Sequence, residues 1–228
     1  MDETENNETM ASALFEQLRA DIVESVFLPG TKLKVRELSE RYQVGSSPVR
    51  EALSRLVSSS LVSAEDRRGF RVAKADIAAF ERLTWTRIGA ESLAIKGALE
   101  LGDVHWEAQL MTAHHLLARV PKPTRLDSPE YRTWNAAHRD FHRSLLSGCN
   151  SPWLLEFTDS LYDHSARYRW LSMRVSPEEH GRVSCKEHED LLDVALRRDV
   201  ETATRLLSDH YLETYRICLK ALEKGFPK

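Results

Sequence analysis

Cysteine is scarce in this chain of 228 residues: only Cys149, Cys185 and Cys218, an odd number with no C-x-x-C pair. That argues against a disulfide framework and for a reducing cytoplasm. No apolar run approaches the roughly 20 residues that span a bilayer. The acidic first residues hold no signal-peptide apolar core. A cytoplasmic protein without membrane contact is therefore expected. H-E-x-x-H, a Gly-rich phosphate loop, a nucleophile elbow and paired catalytic carboxylates are also missing. Catalysis is not expected. The one enzymatic reading left is a His-bound metal that activates water, and turnover of a bound acid would reveal it.

A strong positive balance is lacking too, since the formal net charge is −3. The distribution says more than the total. Residues 29–74 hold ten Lys/Arg against five Asp/Glu. The first ten residues hold Asp2, Glu3, Glu5 and Glu8 and no base. A local basic patch binds phosphates even on a mildly acidic protein, because counterion release is local to the contact. Residues 1–10 are expected to be a disordered acidic tail.

The basic region has a pattern. Val35, Leu38 and Tyr42 predict a short helix over Val35–Tyr42. A turn, Gln43-Val44-Gly45-Ser46, follows. A second helix starts near Ser46 or Ser47, either of which could cap it through its hydroxyl, and Pro48 suits its first turn. Val49, Ala52, Leu53 and Leu56 make its inner face, with Arg50 and Arg55 outside. Two helices joined by a Gly-containing turn, the second with exposed bases, describe a helix-turn-helix. Leu61-Val62 and Phe70-Arg71-Val72 then read as a β-hairpin with Arg67, Arg68 and Gly69 at its tip, the wing of a winged helix. Upstream, Leu14, Leu18, Ile22 and Val26 predict an amphipathic helix over Ala13–Val26, ended by Leu28-Pro29-Gly30.

From Asp76 the chain reads as helix throughout, with no repeat and no flexible linker before it. Helices are predicted at Ile77–Leu101, Val104–Val120, Glu130–Leu146, Pro152–Met173, Ser184–Arg198 and Val200–Leu222. Ser176–Arg182 reads as irregular. Ser184 and Glu187 form a capping box, and Asp199 caps the last helix. The fold class expected is mainly α: an N-terminal winged helix-turn-helix with a small β-wing (11–75), then an antiparallel bundle of about six helices (76–228).

Four histidines stand out in that bundle. His138 and His142 are four apart and flanked by Trp134, Phe141 and Leu145, so they share an inward face. His188 lies near Leu191 and Leu192. His210 lies among Ala203, Leu206, Leu207 and Ile217. Each buried imidazole must lose hydration and find a partner. Imidazole suits Zn, Ni, Cu or Fe, and facing bundle helices commonly build such sites. A divalent metal, Zn or Ni, is one expectation; satisfied core or surface histidines are the other. His105, His114, His115 and His180 read as surface residues, and Glu187 is expected to point away from His188.

The stretches F-L-P-G-T-K-L, R-E-L-S-E-R-Y-Q-V-G-S-S-P-V-R-E-A-L-S-R-L and L-V-S-A-E-D-R-R-G-F-R-V resemble the winged-helix domain of the GntR family of bacterial transcription regulators, over Ala11–Ala73. H-R-D-F-H-R-S-L-L-S-G-C-N, E-H-E-D-L-L-D-V-A-L-R-R-D and A-T-R-L-L-S-D-H-Y resemble the FCD ligand-binding domain of its FadR-like branch, over about Asp76 to Leu222. With A-R-Y-R-W, the pattern is similar to the carbon-starvation-induced type within that branch.

The resemblance implies a homodimeric DNA-binding regulator, a repressor by default, reading a near-palindromic operator in double-stranded DNA. It implies DNA contacts from Arg36, from Ser46, Ser47 and Arg50 around the recognition helix, and from Arg68 and Gly69 of the wing. Many family members have Arg where this chain has Ser46. Its absence removes a guanine contact worth about 1–3 kcal/mol of discrimination. Family members bind a divalent metal through one Asp and three His. The histidines carry over to His142, His188 and His210, and the Asp position is His138 here. Asp140 lies two residues on, about 200° around the helix. A four-His site lacks the anionic ligand, so a metal-free cationic pocket that binds an anion directly is the alternative. Family pockets take small organic acids. Arg87 carries over as a carboxylate clamp, and Leu83, Ala90 and Ala94 place it inward. Arg167 and Arg169 are further candidates, one or the other turning inward. A mono- or dicarboxylate is the expected effector. A bundle that serves only to dimerise is the remaining reading.

Overall fold

The computed structural model describes residues 3–65, 69–120, 129–176 and 185–225. They divide into two compact units at Asp76 and Ile77. The first unit holds α1 (Glu3–Val23), β1 (Lys32–Leu33), α2 (Val35–Tyr42), α3 (Ser46–Ser58), β2 (Val62–Glu65) and β3 (Gly69–Val72). The second holds α4 (Ile77–Leu101), α5 (Val104–Arg119), α6 (Pro129–Ser147), α7 (Pro152–Val175), α8 (Cys185–Leu196) and α9 (Val200–Leu222). The chain is thus mainly α, with one small sheet among the described residues.

In the first unit α1 packs on α3. Ala11, Leu14, Leu18 and Ile22 are buried along one stripe of α1 and meet Val49, Ala52, Leu53 and Leu56 of α3. Two expectations for this helix are corrected. It starts at Glu3, so residues 3–10 are helical rather than a disordered tail. That stretch has no Gly or Pro, and its early carboxylates favour a helix N-terminus. The helix also stops at Val23, because Ser25 takes a left-handed conformation (φ 57°), and Val26 is left exposed. Gln43, also left-handed (φ 54°), ends α2, and its N–H bonds Ser39 O.

Neither Ser46 nor Ser47 caps α3. Gly45 is the N-cap, extended and without a side-chain hydrogen bond, and Ser46 is already helical. The wing is the antiparallel pair β2–β3, with Val62 opposite Val72 and Glu65 opposite Gly69. A third strand, β1, pairs with the other edge of β3, giving the order β1-β3-β2. Its two residues were too few to register as a strand pattern. Arg71 ties the sheet together, donating from Nε to Glu65 Oε1 at 2.9 Å and from Nη1 to Gly30 O at 3.0 Å. Arg67 and Arg68 lie outside the described residues.

In the second unit α4 packs on α9 and α7, α5 on α6 and α8, and α8 on α9. Phe141, Leu145, Ile95, Leu110 and Leu191 are fully buried between them. Asp199 caps α9 as expected, and Asp103 and Ser151 cap α5 and α7. Asp103 accepts from Trp106 N at 2.9 Å, Ser151 from Leu154 N at 3.4 Å and Asp199 from Thr202 N at 3.1 Å. The far end of α4 is capped from a distance. Arg198 donates to the carbonyls of Leu99 (3.1 Å) and Gly102 (2.9 Å), carbonyls that no helical N–H reaches. Gly102 must stay a glycine there, since a Cβ would lie 2.5 Å from the Trp106 ring. The expected capping-box residue Ser184, and the segment 177–184 read as irregular, lie outside the described residues.

Candidate functional site

The α2–turn–α3 unit presents a polar edge. Arg36 projects from α2 with 91% of its side chain exposed, steadied by Glu40 at 3.0 Å. Ser46 and Ser47 are exposed on the first turn of α3, and Arg50 is exposed one turn on. Because Gly45 offers no side-chain cap, the N–H groups at the start of α3 stay open to an outside acceptor, which suits a phosphate. Arg55 is turned away. It donates to Ser12 Oγ at 3.0 Å and lies 4.3 Å over the Phe15 ring, so it braces α1 on α3. Gly69 opens β3 with φ 91°, a conformation that suits glycine at a wing tip. Arg68 lies outside the described residues.

In the second unit all four predicted histidines converge. His138 and His142 come from α6, His188 from α8 and His210 from α9, and all are buried. Each offers one ligand atom within 4.8 Å of the others. His138 Nε2 and His142 Nε2 are 3.3 Å apart. Trp134 stacks over His138, and Phe141 meets His142 and His188 edge-on. Burial first, then the neighbouring imidazoles and Arg87 or Arg169, hold His138 and His142 well below the ordinary imidazole value. These rings are neutral, which is the state that ligates.

The outer nitrogens are occupied. His138 Nδ1 lies 2.9 Å from Tyr162 Oη, His142 Nδ1 lies 3.1 Å from Tyr211 Oη, and His210 Nδ1 lies 2.7 Å from Glu187 Oε2. Glu187 was expected to point away from His188. It does leave His188's own face, but it crosses to the ring on α9. Tyr162, Tyr211 and Glu187 were not singled out as site residues, since no spacing along one helix reveals a partner on another.

Arg87 is buried, and so is its partner. Its Nε donates to Glu91 Oε1 at 2.5 Å and its Nη1 to Ser165 Oγ at 3.1 Å. The Tyr211 hydroxyl donates to the other oxygen of Glu91. Burial works against the Arg87 charge, but Glu91 outweighs it and holds the guanidinium above its ordinary value. The i, i+4 pairing with Glu91 is therefore an interior ion pair. Part of the expected clamp is already filled by this carboxylate, while Arg87 Nη2 is buried with no hydrogen-bond partner.

The two α7 arginines differ. Arg169 lies 5.0 Å over the Tyr162 ring, and its charge acts on both His138 and His142. Arg169 Nη2 is also buried without a hydrogen-bond partner. Arg167 lies 5.7 Å over Tyr168, and burial lowers its affinity for the proton. Arg169 therefore borders the imidazole cluster, and Arg167 lies against its neighbour's ring.

The other predicted surface histidines divide. His105 and His115 are exposed, His114 is half-buried against Phe141, and His180 lies outside the described residues. Asp140 is exposed and lines a separate groove of about 770 Å³ between α5 and α6, with His105, Gln109 and Arg119. It takes no part in the cluster.

A winged helix-turn-helix followed by a helical domain with a buried polar centre is the build of a DNA-binding regulator. Residues 10–72 match the family described as bacterial regulatory proteins, gntR family, and residues 82–213 match the FCD domain. The HTH-type transcriptional regulator BphR of Paraburkholderia xenovorans is 37% identical over 209 residues, spanning 90% of this chain and 83% of that protein. The HTH-type transcriptional repressor GlaR of Escherichia coli is 32% identical over 209 residues, spanning 90% of this chain and 94% of that one. The solved structure of E. coli McbR/YncC shares the fold, with a TM-score of 0.78 at 21% identity, covering 92% of this chain and 97% of that one. The chain belongs to the GntR family and carries its FCD domain. It is a transcription regulator that binds DNA, and not an enzyme. Among the described residues no helix is long and apolar enough to cross a membrane.

Proposed function

We propose that this regulator is a repressor that binds its operator as a homodimer and is released or retained by a small carboxylate held in the FCD domain. The observation that carries this reading is the buried ring of four imidazoles bordered by Arg87 and Arg169, each with an unpartnered Nη2. Buried donors without acceptors are rare and costly, about 1–3 kcal/mol each. An anion with several acceptor oxygens would relieve both.

The residues fit a divalent metal. His138, His142, His188 and His210 would hold it, and an all-nitrogen donor set favours Zn or Ni over oxygen-seeking Mg or Ca. Bound there, such an ion would act as a Lewis acid toward a carboxylate oxygen. The chain's own residues do the rest: Arg87 and Arg169 take the acid's oxygens, Trp134 and Phe141 exclude water, and Tyr162 and Tyr211 steady the rings. A metal-free anion pocket is the second reading, favoured by the two guanidiniums, which need no ion to attract a carboxylate.

On the DNA side, Arg36, Ser46, Ser47 and Arg50, with Arg68 and Gly69 of the wing, are the proposed contacts. One winged helix reads one half-site, so a near-palindromic operator needs two copies. The surface proposed for dimerisation lies on α4 and α7, which pack together and expose Trp85, Leu93, Trp153 and Phe157. The test is operator affinity, by fluorescence anisotropy, with mono- and dicarboxylates before and after chelation. Affinity that moves with an acid supports effector control. Affinity indifferent to every acid, in both states, would leave only the dimerising bundle.

A further inference from the structure

Among the described residues the ligand candidates of the four-imidazole centre include no carboxylate, yet two carboxylates stand behind it, one a single hydrogen bond away and the other two. Glu187 Oε2 lies 2.7 Å from His210 Nδ1. Glu91 accepts the Tyr211 hydroxyl, and the Tyr211 oxygen lies 3.1 Å from His142 Nδ1. These contacts fix the positions of protons. An ionised carboxylate can only accept, so His210 carries its proton on Nδ1. A phenol has one proton, and Tyr211 gives its own to Glu91. The Tyr211 oxygen must then accept from His142 Nδ1–H. In a neutral ring the other nitrogen is bare, so both His142 and His210 are left with an Nε2 lone pair.

His138 is the adjustable ring. Its Nε2 lies 3.3 Å from the bare His142 Nε2, so without a cation between them His138 donates across that gap. Its Nδ1 then accepts the Tyr162 hydroxyl at 2.9 Å. Moving that proton to Nδ1, with Tyr162 turning from donor to acceptor, bares the His138 Nε2 as well and releases no proton.

We propose that Glu187, directly, and Glu91, through Tyr211, are positioning residues that let a four-imidazole centre hold a dication. They preset two imidazole tautomers, Glu187 that of His210 and Glu91 that of His142. The inference rests on the metal reading above and assigns outer partners to it. Carboxylates bonded to the far nitrogen of a ligating His raise its basicity, and losing one typically weakens metal binding 10–100-fold.

The test uses the full-length protein, stripped with chelator and titrated with Zn²⁺ against a chromophoric competitor. Glu187→Gln should weaken Zn²⁺ binding 10–100-fold. Tyr211→Phe, which breaks the relay while leaving Glu91 on Arg87, should also weaken it. Glu189→Gln, at an exposed residue paired with Lys186 (3.3 Å), should leave affinity unchanged. The Co²⁺-loaded Glu187→Gln variant should keep the wild-type absorption band positions, since no inner ligand is lost. In chelator its melting temperature should equal wild type, which a structural role would not allow. Equal Zn²⁺ affinity in wild type, Glu187→Gln and Tyr211→Phe would overturn the proposal. So would an equal loss in Glu189→Gln, which would mean general surface charge. A wild type that takes up neither Zn²⁺, Ni²⁺ nor Co²⁺ would overturn the metal reading itself.

Discussion

Replacing Glu91 with leucine strands a buried cation. The Arg87 and Glu91 side chains are 3% and 2% exposed, with Nε and Oε1 2.5 Å apart. The remaining Arg87 bond goes to the neutral Ser165 hydroxyl, and Nη2 has no partner. Removing one member of a buried pair costs about 3–5 kcal/mol, because the other charge stays uncompensated. The Tyr211 hydroxyl also loses its acceptor, about 1–3 kcal/mol alone. The two losses share one network and will not add fully. A total near 4 kcal/mol is expected, a large share of the roughly 5–15 kcal/mol a domain has. Arg87→Met with Glu91→Leu removes both charges and should recover most of that loss. Urea unfolding followed by circular dichroism reads both variants. A carboxylate from solution should also rescue the single variant: succinate at 100 times its dissociation constant would return about 2.7 kcal/mol. A single variant that loses under 1 kcal/mol, or a double that loses as much as the single, would refute this account of the pair.

Arg50→Ala should abolish specific operator binding while the protein stays folded; near-wild-type footprinting would remove α3 from the interface. His142→Ala with His188→Ala should eliminate any bound metal, read by elemental analysis after purification, and unchanged content would place the ion elsewhere. Trp153, 84% exposed on α7, should become a dimer-breaking position as Trp153→Glu; a dimeric mass by light scattering would move the interface off that helix. Stability of the chelated protein should fall as pH drops below about 6.5, the ordinary imidazole value, because the unfolded chain takes up protons that buried His138 and His142 refuse. The slope reaches about 1.4 kcal/mol per pH unit for each ring, and nothing is lost above that pH. Urea midpoints that do not differ between pH 7.5 and 5.5 would contradict neutral rings.

Local pattern was legible, and partners across helices were not. Val35–Tyr42, Ile77–Leu101 and Val200–Leu222 have the bounds their spacing predicts, because each ends where the chain changes character. His138 and His142 gave themselves away by a four-residue step on an apolar face. The hydroxyl cap of α3 failed because Gly45, extended, already fills the cap position one residue earlier. Glu187 leaves the face of His188, as expected, and what spacing could not show is where it goes: its carboxylate reaches His210 on the adjacent helix. Arg167 and Arg169 are about 200° apart on one helix, and only the placement of Tyr162 decides between them. Arg87 is buried, as Leu83, Ala90 and Ala94 placed it, and its i, i+4 partner Glu91 is buried with it.

Histidine at 138, where the family resemblance implies an Asp, alters how charge is arranged as well as how much there is. Around the imidazoles the cations Arg87 and Arg169 are matched by the anions Glu91 and Glu187, so the protein's own charges there are close to balanced. Arg139, which also borders Tyr162, is spent on Asp163 at 2.6 Å. A dication held by the four rings would therefore leave two positive charges uncompensated in a buried place, where they are felt strongly. An Asp ligand would have cancelled one of them. On the proposed reading, the four-His centre raises the demand for an anion, and a doubly charged acid meets that demand where a monoacid leaves half of it. Linkage then requires the converse: the acid must tighten the metal by the factor by which the metal tightens the acid. The gain on adding metal should be larger for succinate than for a monocarboxylate of equal length, because only the diacid neutralises the whole excess.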